Sequence, residues 1–194
     1  MGKKELLHSR RIEVSCFETD EESLLVEGWL EDERMVPCML PATGQPRDPG
    51  VFHHMTARMR VSLPDLYILS LDAQMPIVPM DMCREIRDSV EKLVGLQLKP
   101  GFTDTVRALL GYTEGCVHLM NLALAMASAA VQGTGAFYSR KRDDDGPGQT
   151  FARPGELDRT VLVNSCWLWR EDGPLMNLIR MSQADGELGQ QQGS

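Results

Sequence analysis

The chain has no long hydrophobic run. Its longest mostly apolar stretch, Val117–Val131, is shorter than the roughly 20 residues that a membrane-spanning helix needs, and polar residues interrupt it. The N-terminus has no apolar segment after its lysines, so the sequence predicts no secretory signal. We therefore expect a cytoplasmic protein that does not associate with membranes.

Positive charge is also scarce, since 20 Lys and Arg residues face 28 Asp and Glu residues and leave a net charge of -8. Such a surface repels a phosphate backbone, so we expect no nucleic-acid partner. The five cysteines are odd in number and scattered, which favours reduced thiols over a disulfide framework. The Walker and Gly-x-Ser-x-Gly motifs are absent, so a phosphate loop and a serine hydrolase have no support.

Alternation of apolar and polar residues predicts four strands, at Arg10–Phe17, Ser23–Glu31, Phe52–Leu63 and Leu66–Ala73. In the third of these, His53 shares the apolar face and His54 falls on the opposite face. The turns between strands are short, which predicts an antiparallel sheet with one polar side.

The hydrophobic period then changes to that of helices. A first helix begins near Pro79 and carries the apolar stripe Met82, Cys83, Ile86, Val90 and Leu93. A second helix is predicted at Thr103–Leu110, and a third runs from about Gly115 to Gln132. The order of elements predicts an α+β fold in which about three helices cover one face of a sheet of at least four antiparallel strands. We expect a single domain over residues 1–181, with a mobile loop at about 139–154 and a disordered tail at 182–194.

Three reactive side chains, His53, Cys116 and His118, are the catalytic candidates. An inward-facing His53 must find polar partners, because an unpaired buried imidazole costs stability. Cys116 and His118 would lie about 200° apart on one helix. If the helix begins here, Cys116 lies in the preceding turn, where the helix N-terminus favours a thiolate. Cys116 would then be the nucleophile and His53 or His118 the base.

The same residues together with Cys83 form a candidate metal-ligand set: His53, Cys83, Cys116 and His118. Imidazole and thiolate ligands suit zinc or iron. Their spacing matches no recognised metal motif, so a metal-free protein is the expectation and the cofactor stays unassigned. Each residue also has an ordinary structural role open to it, as a core histidine, a small apolar side chain or a helix cap.

Three functions remain open at this point. The first is a small-molecule-binding or accessory protein of metabolism, with a pocket between sheet and helices near His53 and the start of the third helix. The second is a metal-assisted or Cys/His enzyme that uses His53, Cys116 and His118. The third is a purely structural or interaction protein. The distances among these side chains distinguish the three, whereas the sequence leaves the ligand and the oligomeric state open.

Two motifs also resemble a known family. The runs His53-His54-Met55 and Gly115-Cys116-Val117-His118-Leu119, with the Ala-rich helix that ends at Gln132, resemble the bacterial family called domain of unknown function 2889. The resemblance covers most of the chain. Family members typically have His-Asp-Met where this chain has His54 in the middle, and often have Cys-His where it has Cys166-Trp167. The resemblance implies a shared fold and no particular activity.

Overall fold

The computed structural model of the protein describes residues 4–19, 23–139 and 162–181. Six strands occur in chain order: β1 (His8–Glu18), β2 (Ser23–Arg34), β3 (Cys38–Met39), β4 (Pro46–Arg47), β5 (Gly50–Ser62) and β6 (Ile68–Ile77). Four of them form an antiparallel sheet in the order β1-β2-β5-β6, and β3 pairs with β4 in the connection that follows β2.

Helices follow the strands in the described part of the chain. They are a 3-10 helix at Asp81–Leu93, α1 (Phe102–Leu110), α2 (Val117–Ser139) and a short helix at 174–181. The 3-10 helix packs on β6, and α2 packs on β1, β2 and β5, so the α+β prediction is confirmed. None of the helices in the described residues is both long and apolar enough to cross a membrane.

One predicted boundary changes, and two predicted segments fall outside the described residues. The helix α2 continues to Ser139, seven residues beyond the predicted end at Gln132. The predicted mobile loop lies outside the described residues except for its first residue, and the predicted tail at 182–194 lies wholly outside them. The single-domain assignment over residues 1–181 stays a prediction.

The first predicted helix has a different period from the one expected. A 3-10 helix has about three residues per turn, so its inner side follows Cys83, Ile86 and Ser89. Met82, which the α-helical stripe placed inside, is 62% exposed. Cys83 packs against the hydrophobic core on this side of the sheet.

Two glycines allow α2 to lie close against the sheet. A Cβ on Gly133 would come 2.3 Å from the Sγ of Cys16, and a Cβ on Gly28 would come 3.0 Å from Leu122 and Met126. Gly133 therefore faces the early part of β2 and the end of β1, while residues 122 and 126 face the middle of β2. The helix runs antiparallel to β2, and its first turn reaches the far end of that strand.

We expect Gly133→Ala to lower the free energy of unfolding by about 1–3 kcal/mol, because the added methyl group overlaps Cys16. Gly135→Ala is the matched control in the same helix, since its Cβ would meet nothing within 4 Å. That change should be neutral or stabilising by up to about 1 kcal/mol, through helix propensity. Urea unfolding of both variants measures the difference. Equal effects would show that α2 does not approach β1 this closely.

Candidate functional site

A row of polar side chains crosses three strands at one end of the sheet. Arg10 of β1 lies directly opposite Asp32 of β2, and Asp32 lies directly opposite His53 of β5. Asp32 follows Leu30 on the inward face of β2, so the strand alternation carries its carboxylate to the side of the core. The carboxylate is buried, with Asp32 only 2% exposed.

Arg10 holds this carboxylate with both arms of its guanidinium group. Its Nε donates to Oδ1 of Asp32 at 2.6 Å, and its Nη2 donates to Oδ2 at 2.8 Å. Such a fork is among the strongest side-chain contacts, because two charge-assisted hydrogen bonds act in parallel. It also fixes the orientation of the carboxylate within the row.

His118 reaches Asp32 from the first turn of α2. The backbone N–H of Met120 donates to the carbonyl of Cys116 at 2.8 Å, so Cys116 precedes the helix that begins at Val117. The Nε2 of His118 lies 3.1 Å from Oδ2 of Asp32. Its ring stacks on that of His53, with ring centres 3.9 Å apart.

His53 has a buried nitrogen without a hydrogen bond. Its Nδ1 lies 3.2 Å from Oδ2 of Asp32. The contact is short, but among the described residues that atom has no partner with hydrogen-bond geometry. Buried polar atoms are nearly always paired, so an orphaned nitrogen aimed at a carboxylate calls for an explanation.

The environment sets the charges of the row. Burial lowers the pKa of His118 to about 4, helped by the charge of His53 and only partly opposed by Asp32. Burial also lowers the pKa of His53, against the opposing effect of Asp32. Burial acts to raise the pKa of Asp32, but its hydrogen bonds to Arg10 and the nearby positive charges outweigh burial and lower that pKa. At neutral pH, His53 of the row and His118 of α2 are therefore neutral imidazoles beside an ionised carboxylate.

The structure brings together three of the four sequence-predicted site residues. The Sγ of Cys116 lies 3.6 Å from Nδ1 of His118, whose other nitrogen faces Asp32, and His53 stacks on the same ring. Cys83 is not part of this group, because the 3-10 helix carries it into the core beside β6. His54 points to the other face of the sheet, beside Glu31 and Trp29, as the alternation predicted.

Sequence reasoning missed Asp32 and Arg10. The alternating pattern of the second predicted strand stopped at Glu31, and one further step would have placed Asp32 on the inward face after Leu30. Arg10 opened the first predicted strand on the same face as Ile12, so the signal for an inward arginine was present. An inward carboxylate and an inward arginine at matching strand positions indicate a buried ion pair.

Asp32, His53 and His118 are grouped closely enough to hold one metal ion. One ligand atom from each lies within 4.8 Å of the others. Donor atoms about 2.0–2.2 Å from one ion lie about 2.9–3.5 Å apart, whether the arrangement is octahedral or tetrahedral. The carboxylate-to-imidazole distances of 3.1 and 3.2 Å fall in this range.

Concave regions of the surface formed by the described residues lie elsewhere, including one on the sheet and one among the helices. One, of about 410 Å³, is on the outer face of the sheet and is lined by residues such as Glu13, Trp29 and Arg58. The other, of about 240 Å³, lies between the start of α1, the middle of α2 and Asn164. Neither includes a residue of the Arg10–Asp32–His53 row.

The match of a protein-family model decides the classification of the chain. The model described as protein of unknown function (DUF2889) matches residues 8–132. The chain belongs to the DUF2889 family. Every residue of the polar row lies inside the DUF2889 region, as do Cys116 and His118. Neither the curated proteins nor the solved structures include a significant match.

We expect Arg10→Gln to lower the free energy of unfolding by about 2–3 kcal/mol, because it leaves the buried Asp32 carboxylate without its countercharge. Arg11→Gln is the matched control, since Arg11 pairs with Glu31 and Glu33 at the surface. Its loss should cost clearly less than that of Arg10, because solvent screens an exposed ion pair. Chemical denaturation of both variants tests this. Similar losses would show that the Arg10 fork adds little.

Acid should destabilise the metal-free protein before Asp32 protonates. The pKa of His118 is about 4 when folded and 6.5 ordinarily, so the unfolded chain binds more protons between those values. The stability that neutral His118 provides is complete above pH 6.5 and is lost as the pH falls towards 4. For one histidine, the free energy of unfolding changes by at most about 1.4 kcal/mol per pH unit.

Unfolding curves at several pH values measure this dependence. His118→Gln should flatten the dependence of the unfolding free energy on pH between pH 6.5 and pH 4. A stability that does not change between pH 6.5 and pH 4 would contradict the burial of a neutral His118.

Proposed function

We propose that Asp32, His53 and His118 bind one divalent transition-metal ion, and that the protein uses this ion to bind or activate a small-molecule ligand. The carrying observation is that one ligand atom from each of these residues lies within 4.8 Å of the others beside the buried Asp32, and that the Nδ1 of His53 lacks a hydrogen bond there. A metal ion gives that nitrogen a partner that Asp32 does not.

The donor set narrows the choice of metal. One carboxylate and two neutral imidazoles suit Fe(II), Zn(II) or Mn(II), whereas Ca(II) and Mg(II) prefer oxygen ligands. Three protein ligands leave coordination positions for water or substrate, which is typical of catalytic rather than structural sites. A bound ion would supply an activated water or polarise a carbonyl group.

The neighbouring side chains fit the supporting roles that metal sites need. Cys116 can accept a hydrogen bond from the Nδ1–H of His118, which fixes the tautomer that presents Nε2 to the metal. Arg10 orients the carboxylate and keeps it ionised, while Asp32 retains lone pairs for a metal. Cys116 is thus a positioning residue in this proposal.

The metal proposal keeps elements of two sequence-based hypotheses. Its centre lies where β2 and β5 meet the start of α2, near the position at which the sequence predicted a ligand pocket, and that pocket stays a prediction. The sequence-based hypothesis of a metal site also included His53 and His118 as ligands. In the present proposal Asp32 is the third ligand, in place of Cys83 and Cys116. All five cysteines are free, which agrees with a reducing cytoplasm as the proposed location.

A Cys116 nucleophile is the second candidate. The imidazole of His118 lies between a thiol and a carboxylate, as in a catalytic triad. Its Nδ1 is 3.6 Å from the Sγ of Cys116, and its Nε2 is 3.1 Å from Oδ2 of Asp32. A resting thiolate paired with an imidazolium needs a protonated histidine beside it, whereas a neutral histidine can act only as a general base. A pKa of about 4 for His118 opposes that pairing at neutral pH, so the metal centre is the better supported function.

Calorimetric titration of chelator-treated protein with zinc chloride, or with Fe(II) under anaerobic conditions, should show one equivalent bound. The melting temperature should rise with metal concentration, because the folded state binds the ion. Asp32→Asn and His53→Gln should weaken binding by tenfold or more. The matched control His54→Gln should bind like the wild type, since that ring lies on the other face of the sheet.

Cys116→Ser separates the two candidates. A serine can still accept the hydrogen bond of His118, so metal affinity should change by less than tenfold. Failure to bind one equivalent of any tested metal, or equal binding by His53→Gln and His54→Gln, would refute the metal centre. In that case, iodoacetamide labelling of Cys116 faster than Cys38 at neutral pH would support the nucleophile, and slow labelling would leave a structural polar cluster.

A further inference from the structure

Two arginines without acidic partners lie at the end of the sheet beside the candidate metal centre. The guanidinium carbon of Arg34 lies 4.4 Å from the centre of the Phe52 ring, and that of Arg47 lies 4.2 Å from the same centre. Among the described residues, neither forms an ion pair, although the chain carries a net charge of -8. The two guanidinium charges repel each other because they share one ring. A bound anion would relieve that repulsion, so the pair attracts negative charge.

Phe52 fixes the position of both cations. Asp32 pairs with His53 and Glu33 pairs with Val51, so Phe52 is an extra residue in β5 that interrupts the alternation of that strand. Phe52 is therefore buried although the adjacent His53 also faces the site. The Phe52 ring contacts the flat faces of the two guanidinium groups. Most of their N–H donors stay available, since Arg47 donates one hydrogen bond to the carbonyl of Val51.

The location relates these arginines to the metal ligands. Arg34 follows Asp32 by two positions on β2, so it lies on the same face of that strand. Opposite Arg34 in the ladder is Gly50, where an added Cβ would meet nothing within 4 Å.

We propose that Arg34 and Arg47 bind an oxyanion, either a carboxylate or a phosphate group, of the small-molecule ligand that reaches the metal centre. Planar guanidinium groups match the paired oxygens of both anions. The position next to the metal ligands rests on the function proposed above, whereas the anion site itself does not.

Calorimetric titration of the full chain with inorganic phosphate and, separately, with acetate tests this site. Ionic strength is held constant with chloride, and the protein is used both metal-free and zinc-loaded. The wild type should bind at least one of the two anions, and the preferred probe assigns the ligand as a phosphate or a carboxylate. Arg34→Gln/Arg47→Gln should weaken that binding tenfold or more.

Two controls keep the result interpretable. Arg58→Gln removes an arginine that pairs with Glu27 on the other face of the sheet, and it should bind the anion like the wild type. Arg34→Lys/Arg47→Lys keeps the charges and should restore part of the affinity if the glutamine variant folds poorly. Absence of binding to the wild type, or equal binding by the wild type and the glutamine variant, would overturn the site.

The outcome for the metal is separate. Anion binding by metal-free protein that takes up no metal would keep the arginine site and refute the metal centre. Metal binding at one equivalent without anion binding would keep the metal centre and refute the arginine site.

Discussion

The buried carboxylate of Asp32 is the constraint on which this end of the molecule depends. An isolated charge in the interior costs several kcal/mol, and Arg10 compensates it from the neighbouring strand. This pairing links β1 to β2, while the contact with His53 extends the polar row to β5. A buried ion pair rarely stabilises more than apolar residues of the same size would, so its presence favours a functional role for the row.

The close packing of α2 turns this row into a site. The contacts at Gly28 and Gly133 let the helix lie along β2, and its first turn then reaches the end of the strand that carries Asp32. His118 therefore meets His53 and the carboxylate from above the sheet. Because the helix is anchored along much of its length, the positions of the three proposed ligand atoms are set by the core rather than by a loop. Rigid support of this kind favours a preorganised metal centre.

Local sequence patterns predicted the parts of the fold that depend on period. The alternation in β5 separated His53 from His54, and the change to a helical period located α2 and the residues before it. The 3-10 geometry of the helix at Asp81–Leu93 was not predicted, because apolar residues three and four apart fit both helix types. Cys83 lies on the inner side in either helix type, and it does not join the site because its helix packs on β6.

The convergence at the site was harder to predict. Asp32 and Arg10 carry the right alternation, and their pairing follows once the register of β1 and β2 is known. The meeting of His118 with Asp32 depends on how α2 packs across the sheet, and no local pattern encodes that distance. The role of Phe52 depends on a register shift in the ladder, which strict alternation does not reveal.

The most direct test of the central claim is an anomalous difference map from crystals grown with zinc, recorded at the zinc edge. If the metal centre exists, the map should contain one strong peak at about 2.0–2.2 Å from Oδ2 of Asp32, Nδ1 of His53 and Nε2 of His118. A map without density between these three atoms, or with zinc bound only at other residues, would contradict it.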